Sequence, residues 1–256
     1  MYVAQIRHKL TRREEGREDL LTSNVFGLWK YLPVETGLLQ FLNTATNLQG
    51  GGLGVEGDAV LNRIDFWPYI QEGDAKSAEP DVVMELLWSG KRHLVFIESK
   101  YLSGKSSESN YSEKRPTDQL AREMQNLSRL ASRKGFEKYS LVYVTADTAL
   151  PKEDIVEAAG ELSEKTVRSE EANFYWTTWR RLPDILTRAA EQCEPLVAGL
   201  LNDLGAILGD MGLIVFSGIG PDEWTEWGTP YVFTEAEVAF AWIPIDLVKK
   251  RYMFVR

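Results

Sequence analysis

The stretch from Glu79 to Tyr101 admits few folds. Two apolar, β-branched runs, Val-Val-Met-Glu-Leu-Leu-Trp and Lys-Arg-His-Leu-Val-Phe-Ile, flank the pair Ser89-Gly90. Such a pair between two alternating runs is a hairpin signal. With a two-residue turn, Trp88 faces Lys91, and counting outward brings Asp81 opposite Glu98. Facing side chains in an antiparallel pair stand roughly 4.5–5.5 Å apart at Cβ. Two carboxylates that close repel, and one takes a proton unless a cation lies between them. Lys100 is two residues past Glu98, so the period of two puts it on the same face. A four-residue loop keeps these three groups on one face, whereas a three-residue loop turns one strand over and separates them.

Two acids and a lysine at strand ends suit a hard divalent cation, Mg2+ or Mn2+, because both prefer oxygen ligands. Such an ion stabilises charge on a phosphoryl oxygen and acidifies a bound water. Pro80-Asp81, sixteen intervening residues, then Glu98-Ser99-Lys100 resembles the signature of the PD-(D/E)XK nuclease superfamily. The resemblance implies an α/β fold with a restriction-endonuclease-like αβββαβ core: a central mixed sheet flanked by helices. It implies Mg2+-dependent hydrolysis of nucleic acid, with DNA the expected substrate. Asp81 and Glu98 would ligate the ion, the Ser99 carbonyl would complete the coordination, and Lys100 would orient or help deprotonate the attacking water. In that superfamily the first core helix often adds a glutamate, and a later helix often carries a glutamine four residues before a tyrosine.

The flanking chain supplies candidates for both. Leu21, Val25, Leu28 and Leu32 recur at helical spacing within residues 12–32, and stepping back along that stripe reaches Glu18 and then Glu14. Either these acids face the core side and Glu18 joins the site, or Thr22-Ser23-Asn24 caps a new helix and both lie in a solvated turn before it. Residues 116–134 read as a helix capped by Thr117 and stopped by Gly135, with Leu120, Met124 and Leu127 inward. Gln119 is the candidate glutamine, and Glu123 stands where the tyrosine would be. Arg122, Arg129 and Arg133 on the same helix either track a phosphate backbone or are solvated.

Elsewhere, residues 47–58 form a glycine-rich connection without the Lys-Ser/Thr ending of a phosphate-binding loop. Residues 59–70 read as the first strand, with Glu56 and Asp65 as spare acids. Glu85 shares the Asp81 face yet belongs mid-sheet, with no partner evident from sequence. Residues 102–115 are serine-rich and charged: either a loop closing over substrate with Lys105, Lys114 and Arg115 on phosphates, or a solvated linker. Residues 139–145 read as a buried strand, 152–165 as a helix, 173–179 as a strand, and 182–208 as helices broken near Pro195. A strand–helix–strand connection implies a parallel pair in an otherwise antiparallel sheet.

The expected organisation is a nuclease-like core over 1–180 and a C-terminal helical and β extension over 181–256. The extension would hold strands at 211–217, 229–233, 239–245 and 252–255, and Trp224 and Trp227 either stack on bases or pack internally. A net charge of −9 argues against a protein that coats nucleic acid, because nonspecific binding rests on Lys and Arg releasing counterions. It is compatible with a metal-dependent site whose binding is weak and salt-sensitive. One cysteine, Cys193, excludes an internal disulfide framework and points to a reducing, cytoplasmic setting. No apolar run reaches the ~20 residues that span a bilayer. His8 and His93 stand isolated, which gives a histidine base little support. A noncatalytic relative of the same fold, binding nucleic acid or a protein partner, or a homodimer, is the alternative expectation.

Overall fold

The computed structural model describes residues 15–55, 57–166 and 173–215. The elements run α1 (Glu15–Leu28), α2 (Leu38–Asn43), β1 (Val60–Phe66), β2 (Val82–Trp88), β3 (Lys91–Ser99), α3 (Gln119–Lys134), β4 (Lys138–Thr145), α4 (Lys152–Thr166), β5 (Phe174–Thr178), a 3-10 turn (Trp179–Arg181), α5 (Leu182–Ala190) and α6 (Pro195–Asp210). This is an α/β fold around one open, mixed sheet of five strands in sequential order. β1, β2 and β3 form an antiparallel meander, and β3, β4 and β5 run parallel. The α3 and α4 crossovers supply the parallel connections that the strand–helix–strand pattern predicts.

The turn between β2 and β3 has the predicted length. Ser89 and Gly90 take φ values of 50° and 69°, and positive φ at both central residues is the two-residue geometry that matches strand twist. Glycine adopts this freely; Ser89 is held there by its N–H, which donates to the Asp58 carboxylate at 3.0 Å. Trp88 pairs with Lys91 and Val82 with Ile97, so the register is the one counted from the sequence.

β3 is buried on both faces from His93 onward, as a central strand must be. Below one face, Val82, Met84, Leu86, Val95, Ile97, Val142 and Val144 pack with α1, α2, α5 and α6. Phe26, Trp29, Phe41 and Trp179 form an aromatic group there, with ring centroids 5.7–6.4 Å apart. On the other face, Val83, Leu94, Phe96, Leu141 and Tyr143 pack against α3 and α4. α5 and α6 therefore share the first core rather than forming one of their own.

Local details differ from the sequence reading. α1 runs unbroken through Thr22, Ser23 and Asn24, so no new helix is capped there; Thr22 instead bonds the Ser99 hydroxyl at 2.6 Å. α1 ends at Leu28, before Leu32. The cap of α3 is Asp118, whose carboxylate accepts from the Ala121 N–H at 3.0 Å, while Thr117 turns to Glu161. β1 is shorter than expected. Residues 211–215 are not a strand. The remaining expected C-terminal strands, Trp224, Trp227, His8, Glu14 and Glu56 lie outside the described residues. Among the described residues no helix is long and apolar enough to cross a membrane.

Candidate active site

Where β2 begins and β3 ends, polar groups gather in one buried cluster, but not all on one face as the period of two predicts. Asp81 turns to Trp67 and to Ser99, which Thr22 of α1 also bonds on the side of the first core, whereas Glu98 turns to Gln119 of α3 on the other. Asp81 precedes β2, one step beyond the last register pair. Its Oδ2 accepts from the Ser99 N–H at 2.9 Å and the Ser99 hydroxyl at 2.7 Å. Its Oδ1 accepts from the Trp67 indole N–H at 2.9 Å. Burial pushes the Asp81 carboxyl up, against the opposing pull of the Lys100 ammonium and the Ser99 donors.

Glu98 is 2% exposed. Its Oε1 receives the Lys100 ammonium at 2.7 Å and the Gln119 side-chain N–H. Its Oε2 is buried and receives no donor from the surrounding protein. Burial, then the neighbouring Asp81 charge, push Glu98 up to about 7. Lys100 also reaches Glu18 Oε1 at 3.3 Å. Burial pulls the Lys100 pKa down, but Glu98, Glu18 and Asp81 outweigh it and hold the side chain above the usual lysine range. Lys100 is thus a fixed cation.

Glu18 enters from α1 across the end of the sheet. Its Oε2 accepts from the Tyr101 N–H at 3.0 Å and the Ser103 hydroxyl at 2.5 Å. Of the two readings of α1, the one that carries Glu18 to the sheet end matches its position. The Lys100 backbone is anchored too: its N–H donates to the Val144 carbonyl at 2.7 Å, and its carbonyl accepts from the Trp179 indole at 3.0 Å.

Gln119 opens α3 and faces the cluster. Its N–H groups reach Glu98 Oε1 and, at 3.3 Å, Glu123 Oε1, while its carbonyl oxygen accepts from the Ser106 N–H at 2.8 Å. Glu123, one turn later, is 2% exposed, and its Oε2 also lacks a donor. Burial and the Glu98 charge raise its pKa well above the carboxylate range. Glu123 is the acid the motif reading passed over. The available signal was its i+4 relation to Gln119, which puts the two on one helix face.

Other candidates fall elsewhere. Asp65 pairs with Arg63 at 2.6 Å away from the cluster. Glu85 meets Lys134, from the last turn of α3, at 3.5 Å, which accounts for its mid-sheet position. Arg122 bonds the Ser77 carbonyl and the Ser107 hydroxyl; Arg129 pairs with Asp74, and Arg133 with Glu72. All three fasten the 71–78 turn, and Arg122 also holds Ser107 in the loop after β3. Lys105 is buried between Asp118 at 2.5 Å and Glu157 at 2.9 Å, so it is committed within the protein. Glu161, fully buried, accepts from the Thr117 and Asp118 N–H groups, the Asn110 N–H and the Lys165 ammonium. Residues 102–118 are therefore strapped to α3 and α4 by side chain–backbone bonds. His93 is buried with Nε2 3.0 Å from the Ser140 hydroxyl, a core histidine beside Trp88.

The acceptor set suits a hard cation, because it is oxygen only. Asp81, Glu98, Glu123 and Glu18 surround a single lysine. The two bare oxygens, on Glu98 and Glu123, are what a metal ion or a shared proton would satisfy. Among the described residues no three His, Cys, Asp or Glu side chains converge as a ready-made metal site, so ion binding would require these carboxylates to turn inward. Comparison with protein-family models, curated proteins and solved structures finds no match to the chain.

Proposed function

We propose that the chain is a Mg2+- or Mn2+-dependent nuclease that hydrolyses phosphodiester bonds, with DNA as substrate, on a restriction-endonuclease-like core. One observation carries this reading: Asp81, Glu98, Lys100, Glu18 and Gln119, drawn from four separate segments, meet in one buried polar cluster at the end of the β2–β3 hairpin. The order helix, three strands, helix, strand supports the fold assignment. Asp81 and Glu98 would hold the ion, with the Ser99 carbonyl and Glu18 assisting. When bound, the ion supplies electrostatic stabilisation of the phosphoryl oxygens and an acidified water. Lys100, as a fixed ammonium, orients the water or holds a phosphate oxygen rather than removing a proton. Gln119 fixes Glu98 and ties it to the loop after the site.

The test is cleavage of linear, circular and single-stranded DNA, and of RNA, with Mg2+ and with chelator. Asp81→Asn and Glu98→Gln should each abolish cleavage while circular dichroism reports an intact fold. Full activity in either purified variant would overturn the assignment. One observation favours a second reading, a noncatalytic protein of this fold: the three donors on Asp81 and the Lys100–Glu98 pair already satisfy much of the cluster internally. Calorimetry with Mn2+ separates the two, because absence of binding supports the noncatalytic protein.

A further inference from the structure

We infer that Glu123 is a direct ligand of the divalent cation, paired with Glu98 across the β3–α3 interface. This rests on the metal-dependent reading above and adds a residue that the signature around the hairpin does not contain. Glu98 Oε2 and Glu123 Oε2 are each buried and receive no donor from the surrounding protein, and both residues are only 2% exposed. A buried polar atom left bare costs about 1–3 kcal/mol, more when charged, and such atoms in native proteins call for an explanation.

The remaining atoms of the two carboxyl groups show how the pair is set. Gln119 donates to Oε1 of both Glu98 and Glu123. This single amide holds Oε1 of both residues and leaves Oε2 of each without a donor. Gln119 is itself held at its carbonyl by the Ser106 N–H. Lys100 is on the Oε1 side of Glu98. The two carboxyl groups also bond to each other, so without metal they share a proton, and the proposed cation would take that proton's place between them. Two hard oxygens with no nitrogen or sulfur donor favour Mg2+ or Mn2+ over softer metals. Asp81, by comparison, has three of its acceptor positions filled by Trp67 and Ser99. The pair with the most open coordination is therefore Glu98 with Glu123.

The experiment is Mn2+ titration by calorimetry of the whole chain and of Glu123→Gln and Glu123→Asp, with thermal melts as a check on folding. Crystals soaked in Mn2+ would be read by anomalous scattering. Glu123→Gln should lose at least about tenfold in Mn2+ affinity while melting no lower than the unsubstituted protein without metal, since it removes an acid from a crowded group. Glu123→Asp keeps the charge but withdraws the oxygens by one methylene, so a direct ligand predicts a loss there as well. An anomalous peak bonded to both carboxylates supports the assignment. Unchanged affinity in Glu123→Asp reduces Glu123 to an electrostatic role and overturns the ligand claim alone. Unchanged affinity in Glu123→Gln overturns it too and leaves Asp81 and Glu98 as the metal site. No Mn2+ binding by the unsubstituted protein overturns both this inference and the metal-dependent function.

Discussion

Replacing Lys100 by methionine tests the electrostatics of the cluster without touching its acids. The side chain keeps its unbranched shape, one atom shorter, and loses its charge. The ammonium is 2.7 Å from Glu98 Oε1 and 3.3 Å from Glu18 Oε1, and both it and Glu98 are buried. Removing one partner of a buried pair costs about 3–5 kcal/mol, because the other charge is left uncompensated. For a chain of this size that corresponds to a melting temperature roughly 6–20 °C lower. The loss should depend on pH, and the sign follows from the two groups. The Lys100 pKa in the folded state lies above its ordinary value of 10.5, so its stabilising contribution is complete below that value and does not change between pH 5 and 9. The Glu98 pKa is raised from 4.5 to about 7. The protonated native carboxyl therefore favours folding below pH 4.5, and that contribution disappears as pH rises through 7. At pH 8 Glu98 is ionised and needs the ammonium; at pH 5.5 it is largely neutral and needs it less. Urea and thermal unfolding of both proteins at the two pH values should show the full deficit at pH 8 and less than half of it at pH 5.5. Equal stability at pH 8, or a deficit independent of pH, would refute this account of the site.

Further outcomes follow from groups outside the cluster. Burial, then the Lys138 charge, lower the His93 pKa from 6.5 to about 3. Between those values the unfolded chain binds a proton that the native state refuses, so stability present above pH 6.5 falls as pH drops, by on the order of 4–5 kcal/mol in full. Acid unfolding should accordingly move to lower pH in His93→Phe, and an unshifted midpoint would remove His93 from the acid sensitivity. Glu161→Ala removes the buried acceptor of the Thr117 and Asp118 N–H groups and one partner of Lys165 and of the Asn110 N–H, which keep the Asn110 and Arg115 carbonyls and the Thr117 hydroxyl respectively. The expected cost is about 3–5 kcal/mol, with protease cleavage appearing within residues 102–117. Resistance equal to that of the unsubstituted protein would show that Lys105 and its partners hold the loop without Glu161.

Local patterns were enough for the hairpin and for most elements. A two-residue turn leaves only one register between alternating strands, so counting from Ser89-Gly90 reached the Asp81–Glu98 end without tertiary information. Gly135 stopped α3 and Pro195 opened α6 because their backbone preferences act within a few residues. The α1 boundary was less accessible. Thr22 and Ser23 favour caps by local propensity, yet Thr22 is buried in a helix interior because Ser99, far along the chain, offers its hydroxyl a partner.

From the sequence alone came the strand register, the parallel crossover and the acids and lysine at the hairpin's open end, because each depends on neighbours a few positions away. Only the tertiary structure decided that Glu123 belongs with Glu98, that Lys105 is spent on Asp118 and Glu157, and that Glu85 answers Lys134. Those pairings join elements tens of residues apart, and charge alone does not say which of many partners packing will bring within reach.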